Sequence, residues 1–188
     1  SYDLMEAYLL AQETASDKLK KAGDMLSEME KKFAADNDVI LTEGEKSKNA
    51  KKLENAGKVY KYYNEVYLIF FKCYIQESFL LEAVNTGDVN AMEQNKNALL
   101  ANANEGLEKI KDLKPYEGDN SLLESCEEML IFYKEESENE LNDIVNFFVK
   151  KEKFESIHQA FEAKKKNQRS QEDVDNYNNA INDYNAAT

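Results

Sequence analysis

Residue types able to do chemistry are thinly spread along this chain. Glu155-Ser156-Ile157-His158 sets a carboxylate and an imidazole three residues apart. On a helix both would project to one face, as in half of a di-iron carboxylate site. A symmetric site needs a second such pair, and His158 is the one histidine present. The pair therefore reads as a histidine at a core boundary beside Ile157 and Phe161. The two thiols, Cys73 and Cys126, both fall in apolar helical seams, where burial keeps a thiol protonated and inert. Their heights along their helices differ by several ångströms, so buried free thiols are expected rather than a bridge. No glycine-rich phosphate loop, zinc-protease motif or nucleophile elbow occurs. The sequence thus predicts no catalytic residue, no metal ligand and no cofactor.

Charge excludes other classes. The chain carries 37 acidic and 24 basic residues, a net charge of −13. Nucleic-acid binding needs a cationic surface that displaces condensed counterions, so no nucleic-acid partner is expected. Anionic lipid would repel the chain as well, leaving a lipid anchor upstream of the folded part as the one route to a membrane. Lys164, Lys165, Lys166 and Arg169 form the single basic cluster. A run of this kind commonly caps a helix C-terminus, where the dipole favours cations.

Tyrosine is the residue left with a functional reading. A ring at the edge of a core stacks while its hydroxyl hydrogen-bonds, which suits a peptide, protein or glycan surface. Tyr60, Tyr63 and Tyr67 share one helical seam, and Tyr177 and Tyr184 share another two turns apart. These five are the candidate ligand or partner residues. The competing reading makes them core residues whose tips alone reach water.

The elements that position them are helical throughout. A single proline and six glycines in 188 residues leave long uninterrupted stretches. Leu4, Tyr8, Ala11, Ala15, Leu19, Ala22, Leu26, Met29 and Phe33 recur at helical spacing and predict a first helix from about residue 3 to 35, with Gly23 expected at a close helix–helix approach. Val39-Ile40-Leu41 in the following connection is expected to cap the core. A second helix runs from about Glu45 to Asn85, with Ala50, Leu53 and Ala56 marking an inner stripe in its polar first third. Its Val59–Val84 segment holds eight of the chain's twenty aromatics on two adjacent apolar seams, and so is the expected central helix.

Gly87 and Asp88 read as a stop and restart. Met92, Leu99, Ala103, Leu107 and Ile110 should then face inward on a third helix. After the 114–119 loop, Ser121 with Glu124 reads as a capping box for a fourth helix reaching about Lys166. Its seam is Leu122, Cys126, Met129, Tyr133, Leu141, Ile144, Phe148, Phe154 and Phe161, with a kink near the acidic stretch 135–140. A second capping box, Ser170 with Asp173, opens a last helix. The expected fold is one all-α domain over residues 1–188, an up-down bundle of four to five long antiparallel helices. The longest apolar run, residues 66–71, is far short of a membrane span.

Three passages, Tyr116-Glu-Gly-Asp-Asn-Ser-Leu-Leu, Met129-Leu-Ile-Phe-Tyr-Lys and Tyr177-Asn-Asn-Ala-Ile-Asn-Asp-Tyr-Asn, together resemble uncharacterised helical-bundle surface proteins of Bacteroidetes and spirochaete envelopes. The resemblance implies export across the inner membrane, often with a lipid anchor before the folded part, and no enzymatic activity. The expected function is non-enzymatic binding or scaffolding in a bacterial cell envelope. The alternative is an intracellular partner-binding bundle, a regulator or neutralising protein in the cytoplasm.

Overall fold

The computed structural model describes residues 1–42 and 48–187. The expected start of the second helix at Glu45 and the side chain of Ala50 lie outside the described residues. Six α-helices follow one another: α1 (Tyr2–Asp36), α2 (Lys48–Thr86), α3 (Val89–Asp112), α4 (Ser121–Glu138), α5 (Glu140–Ala163) and α6 (Gln171–Asn185). The fold is an all-α bundle. Among the described residues, no helix is long and apolar enough to cross a membrane.

The centre is a three-rod bundle. α2 and α3 are antiparallel, joined where Gly87 takes the left-handed conformation (φ 71°) and Asp88 accepts a 2.9 Å hydrogen bond from the Ala91 amide. α4 and the first half of α5 then run back along α3 as one rod. A Cβ on Gly106 would stand 3.0 Å from Leu130, and one on Gly87 would stand 3.9 Å from Phe148 at the far end. Val66, Cys73 and Leu80 of α2 meet Met92, Leu99 and Ala103 of α3 and Leu130 and Tyr133 of the third rod, all buried. The middle element is α3, which packs on α2, α4 and α5, whereas much of the aromatic seam of α2 is exposed; this corrects the expectation that α2 is the central helix.

The unequal helix lengths in the sequence leave two readings, an overhanging long pair or a break near Glu138, and the acidic stretch produces the break. Asn139 leaves helical geometry (φ −118°, ψ −87°), and its side chain donates back to the Glu135 carbonyl at 2.8 Å. Such a side-chain bond offers the backbone an alternative to the helical ladder. The buried seam of the third rod also differs from the expected one. Leu123, Cys126, Leu130, Tyr133, Leu141 and Val145 face inward, while Met129 and Ile144 are turned out. Ser121 does not form the expected capping box. The N-cap is Asn120, whose amide donates to Glu124 at 2.9 Å, while the Ser121 amide is held by Asp119.

Each end of this centre carries a two-helix hairpin. Beyond Phe148, α5 continues and α6 folds back on it, opened by the predicted capping box of Ser170 and Asp173. Arg169 closes the turn, donating from Nε to the carbonyls of Phe161 at 3.1 Å and Lys164 at 3.2 Å. Of the basic cluster, Arg169 thus caps the helix C-terminus as expected, while Lys164 pairs across the turn with Asp173 at 2.6 Å.

At the other end, α1 lies antiparallel to α2, and four expectations are corrected there. Its expected inward seam is exposed: Leu4, Leu19, Leu26, Met29 and Phe33 are 58–75% accessible. Instead the first turns dock through a different face, with Leu9 buried and Tyr2 and Met5 half-buried. Gly23 marks no close approach, since a Cβ there would meet nothing within 4 Å. Val39-Ile40-Leu41 caps no core, Ile40 being 89% exposed, and Leu53 of the expected inner stripe on α2 is 77% exposed. The physical reason is common to all four: α1 touches the bundle only near its start, so nothing reaches these side chains.

Candidate binding surface

The second seam of α2 forms a strip of rings along the helix. Tyr60 is 68%, Tyr63 45% and Tyr74 49% exposed, while Tyr67 between them is half-buried. Tyr63 stacks on Tyr67 at 5.7 Å, Tyr67 on Phe71 at 5.4 Å, and Phe70 on Tyr74 at 5.9 Å. Positions three and four residues apart lie one above the other on a helix, which is why the rings meet. The adjacent seam of the same helix supplies Val66, Cys73 and Leu80 to the core, so the strip sits on a rigid support. Of the two adjacent apolar seams of α2, one is thus buried and the other partly exposed. Flat ring faces beside free hydroxyls take apolar peptide or sugar faces while hydrogen-bonding their polar edges.

The five tyrosines separate into two groups. Tyr60, Tyr63 and Tyr67 share the α2 strip. Tyr177 and Tyr184 are half-buried on α6, which touches no element but α5. There Tyr177 lies flat on Phe161 (4.4 Å, 3°), and Tyr184 on Phe154 (5.3 Å, 8°). The guanidinium of Arg169 stands 4.1 Å from the centre of the Phe161 ring. These two tyrosines hold a helix in place and present little free surface. Phe70 and Tyr74, which extend the α2 strip, were the residues missed as site candidates. Tyr74 was signalled by its place on the seam of Tyr60, Tyr63 and Tyr67, whereas Phe70 lies off that seam.

His158 stacks between Phe154 and Tyr177 with Nδ1 3.2 Å from the Tyr177 hydroxyl, and Glu155 is exposed on the same helix. Among the described residues, no group of three or more His, Cys, Asp or Glu side chains is placed to hold a metal ion. Cys73 and Cys126 are free thiols. Burial pushes Cys73 up to about 12 and Cys126 up to about 11, so neither is a nucleophile near neutral pH.

A cleft of about 390 Å³ opens where the start of α1 meets α2 and α3, lined by Tyr2, Leu68, Lys72, Glu105 and Lys109. Glu105 pairs with Lys72 at 2.6 Å and Lys109 at 2.8 Å. Hydrogen bonds from Lys109 and Lys72 hold its carboxyl down to about 2. Partial burial, and then Glu6, raise the Tyr2 hydroxyl. The cleft is a braced joint between helices. No protein-family model, curated protein or solved structure matches the chain.

Proposed function

We propose that the protein is a non-enzymatic bundle that binds or scaffolds through its exposed rings, displayed in a bacterial cell envelope and held there by a lipid anchor. The exposed strip of Tyr60, Tyr63, Tyr67 and Tyr74 on a buttressed helix carries the binding part. A contiguous apolar patch rimmed by polar groups is the usual mark of an interaction site. The envelope part is supported by the resemblance of the 116–134 and 177–185 passages to envelope surface proteins.

Peptide and glycan arrays probed with the purified protein test the first part. Binding that disappears in the Tyr60→Ala/Tyr63→Ala/Tyr67→Ala variant is expected, and retained binding would move the site elsewhere. Fractionation of the source cells, with protease shaving of intact cells, tests the second. Recovery solely from the cytosol would favour the other reading, an intracellular regulator or neutralising protein. That reading takes its support from Cys73 and Cys126, which remain free thiols as cytosolic cysteines do.

A further inference from the structure

A folded protein of 21.6 kDa that packs compactly exposes roughly 9,200 Å². This chain exposes 13,710 Å². Much of the excess belongs to α1, a 35-residue helix with only Leu9 and Ala34 buried. Its docked face, through Tyr2, Met5 and Leu9, lies about 130° around the helix from the seam of Leu4, Tyr8, Ala11, Ala15, Ala22, Leu26, Met29 and Phe33. That seam is an apolar stripe with nothing among the described residues against it.

The order of the seam names what fits it. With Leu19, which belongs to the same seam, its residues recur at intervals of three or four throughout. An antiparallel copy turned about the middle of the seam sets Leu4 beside Phe33, Tyr8 beside Met29, Ala11 beside Leu26 and Ala15 beside Ala22, with Leu19 at the axis beside its own copy. Large residues meet at the ends, and the Ala15 and Ala22 pairs flank Leu19 at the middle. A surface that is its own complement under a two-fold axis is an isologous dimer interface.

Charge selects the same pairing. Residues 2–17 carry Asp3, Glu6, Glu13 and Asp17 with no base, whereas residues 18–36 carry five lysines against four acids. Antiparallel packing lays the acidic half of each copy along the lysine-bearing half of the other. Parallel packing would align the two acidic halves. Residues 1–61 hold 11 basic and 12 acidic residues, while residues 62–188 hold 13 and 25. The near-neutral third of the molecule is thus the part that tolerates a second copy. The uncovered area is ample, since a stable interface buries about 1,600 Å² in total.

We propose that the Leu4–Phe33 face of α1 is the docking site for α1 of a second copy of this chain, antiparallel about a two-fold axis between Lys18 and Leu19. The tyrosine strip on α2 plays no part in it, so failure of the ligand reading leaves it standing.

Light scattering on the eluting full chain at micromolar concentration should give twice the chain mass. Leu26→Glu/Met29→Glu should return the single-chain mass with unchanged helical circular dichroism, because both side chains are exposed in one copy. Oxidation should cross-link Leu19→Cys to itself across the axis and leave Leu4→Cys unlinked. A monomeric wild type would overturn the proposal, including one whose α1 instead binds phosphatidylcholine or phosphatidylglycerol vesicles. So would a dimer indifferent to Leu26→Glu/Met29→Glu, or one in which Leu4→Cys links as readily as Leu19→Cys.

Discussion

Leu130 lies so close over Gly106 that a methyl group on the glycine would stand 3.0 Å from its Cδ2 and 3.0 Å from Ile69 Cγ2. Leu130 is fully buried and has nowhere to retreat. Gly106→Ala gains about 1 kcal/mol of helix propensity but overpacks the core by about 1–3 kcal/mol, so a net loss of about 1 kcal/mol is expected. Gly57→Ala, with nothing within 4 Å of its new methyl group, should instead stabilise by about 0.5–1 kcal/mol. Urea denaturation of both variants checks the contrast. Equal shifts would mean that α3 does not approach α2 and α4 as described.

Phe71 is 9% exposed whereas Tyr60 is 68% exposed, although both lie on the same seam of α2. Phe71→Ala should cost about 3 kcal/mol, the low end for truncating a buried aromatic. Tyr60→Ala should stay within about 0.5 kcal/mol, as surface substitutions do. Thermal unfolding distinguishes them, and a comparable loss at Tyr60 would show the strip to be covered.

The raised thiols make a prediction in two directions of pH. With Cys73 at about 12 and Cys126 at about 11, against an ordinary value of 9.0, labelling by a thiol-reactive disulfide at pH 8 should run about two to three orders of magnitude slower than in urea. A thiol held neutral by the fold stabilises it fully below pH 9. That contribution is lost as pH rises from 9 towards 12, so the melting temperature should fall across this alkaline window. Rapid native labelling at both sites would contradict their burial.

At the C-terminal hairpin, Arg169 stacks on Phe161 and donates to two carbonyls. Lysine has neither the plane nor the fork, so Arg169→Lys should loosen α6 by about 1–2 kcal/mol, and Ser170→Ala by about 1 kcal/mol through its cap. Hydrogen bonds from Lys164, and then from the Ser170 amide, lower Asp173 to about 2 against an ordinary 3.8. Its contribution is present above pH 3.8 and lost as pH falls towards 2. Hydrogen exchange in α6 should therefore accelerate in both variants with α3 unaffected, and acid should accelerate it in the wild type as well. Uniform acceleration across the molecule would refute the local assignment.

Features decided within a few residues were legible in the sequence. The Gly87–Asp88 junction, the Ser170–Asp173 cap and the single apolar face of α3 all appear where their residue types require. The third rod was read on the wrong face at Leu122/Leu123, Met129/Leu130 and Ile144/Val145, because each is a pair of adjacent apolar residues. One residue turns a helix by about 100°, and composition gives no reason to choose between the members of such a pair. The exposure of the tyrosine strip was hidden for a related reason. Two equally apolar seams on α2 compete for one set of partners, and only the positions of α3 and α4 decide which is covered. The seam of α1 was legible as a seam, but its partner was not, because no other segment of the chain lies against it.

The hairpin beyond Phe148 has a consequence for how the molecule comes apart. Since α6 rests on α5 alone, its opening exposes rings of that hairpin and leaves the contacts of Leu99, Leu130 and Cys73 untouched. Stability is therefore graded along the long axis, with lower opening free energies at the two end hairpins and the global value at the middle. A protease would shorten such a chain from its ends inward, and on the C-terminal side the fragment ending near Phe148 would retain a complete hydrophobic centre.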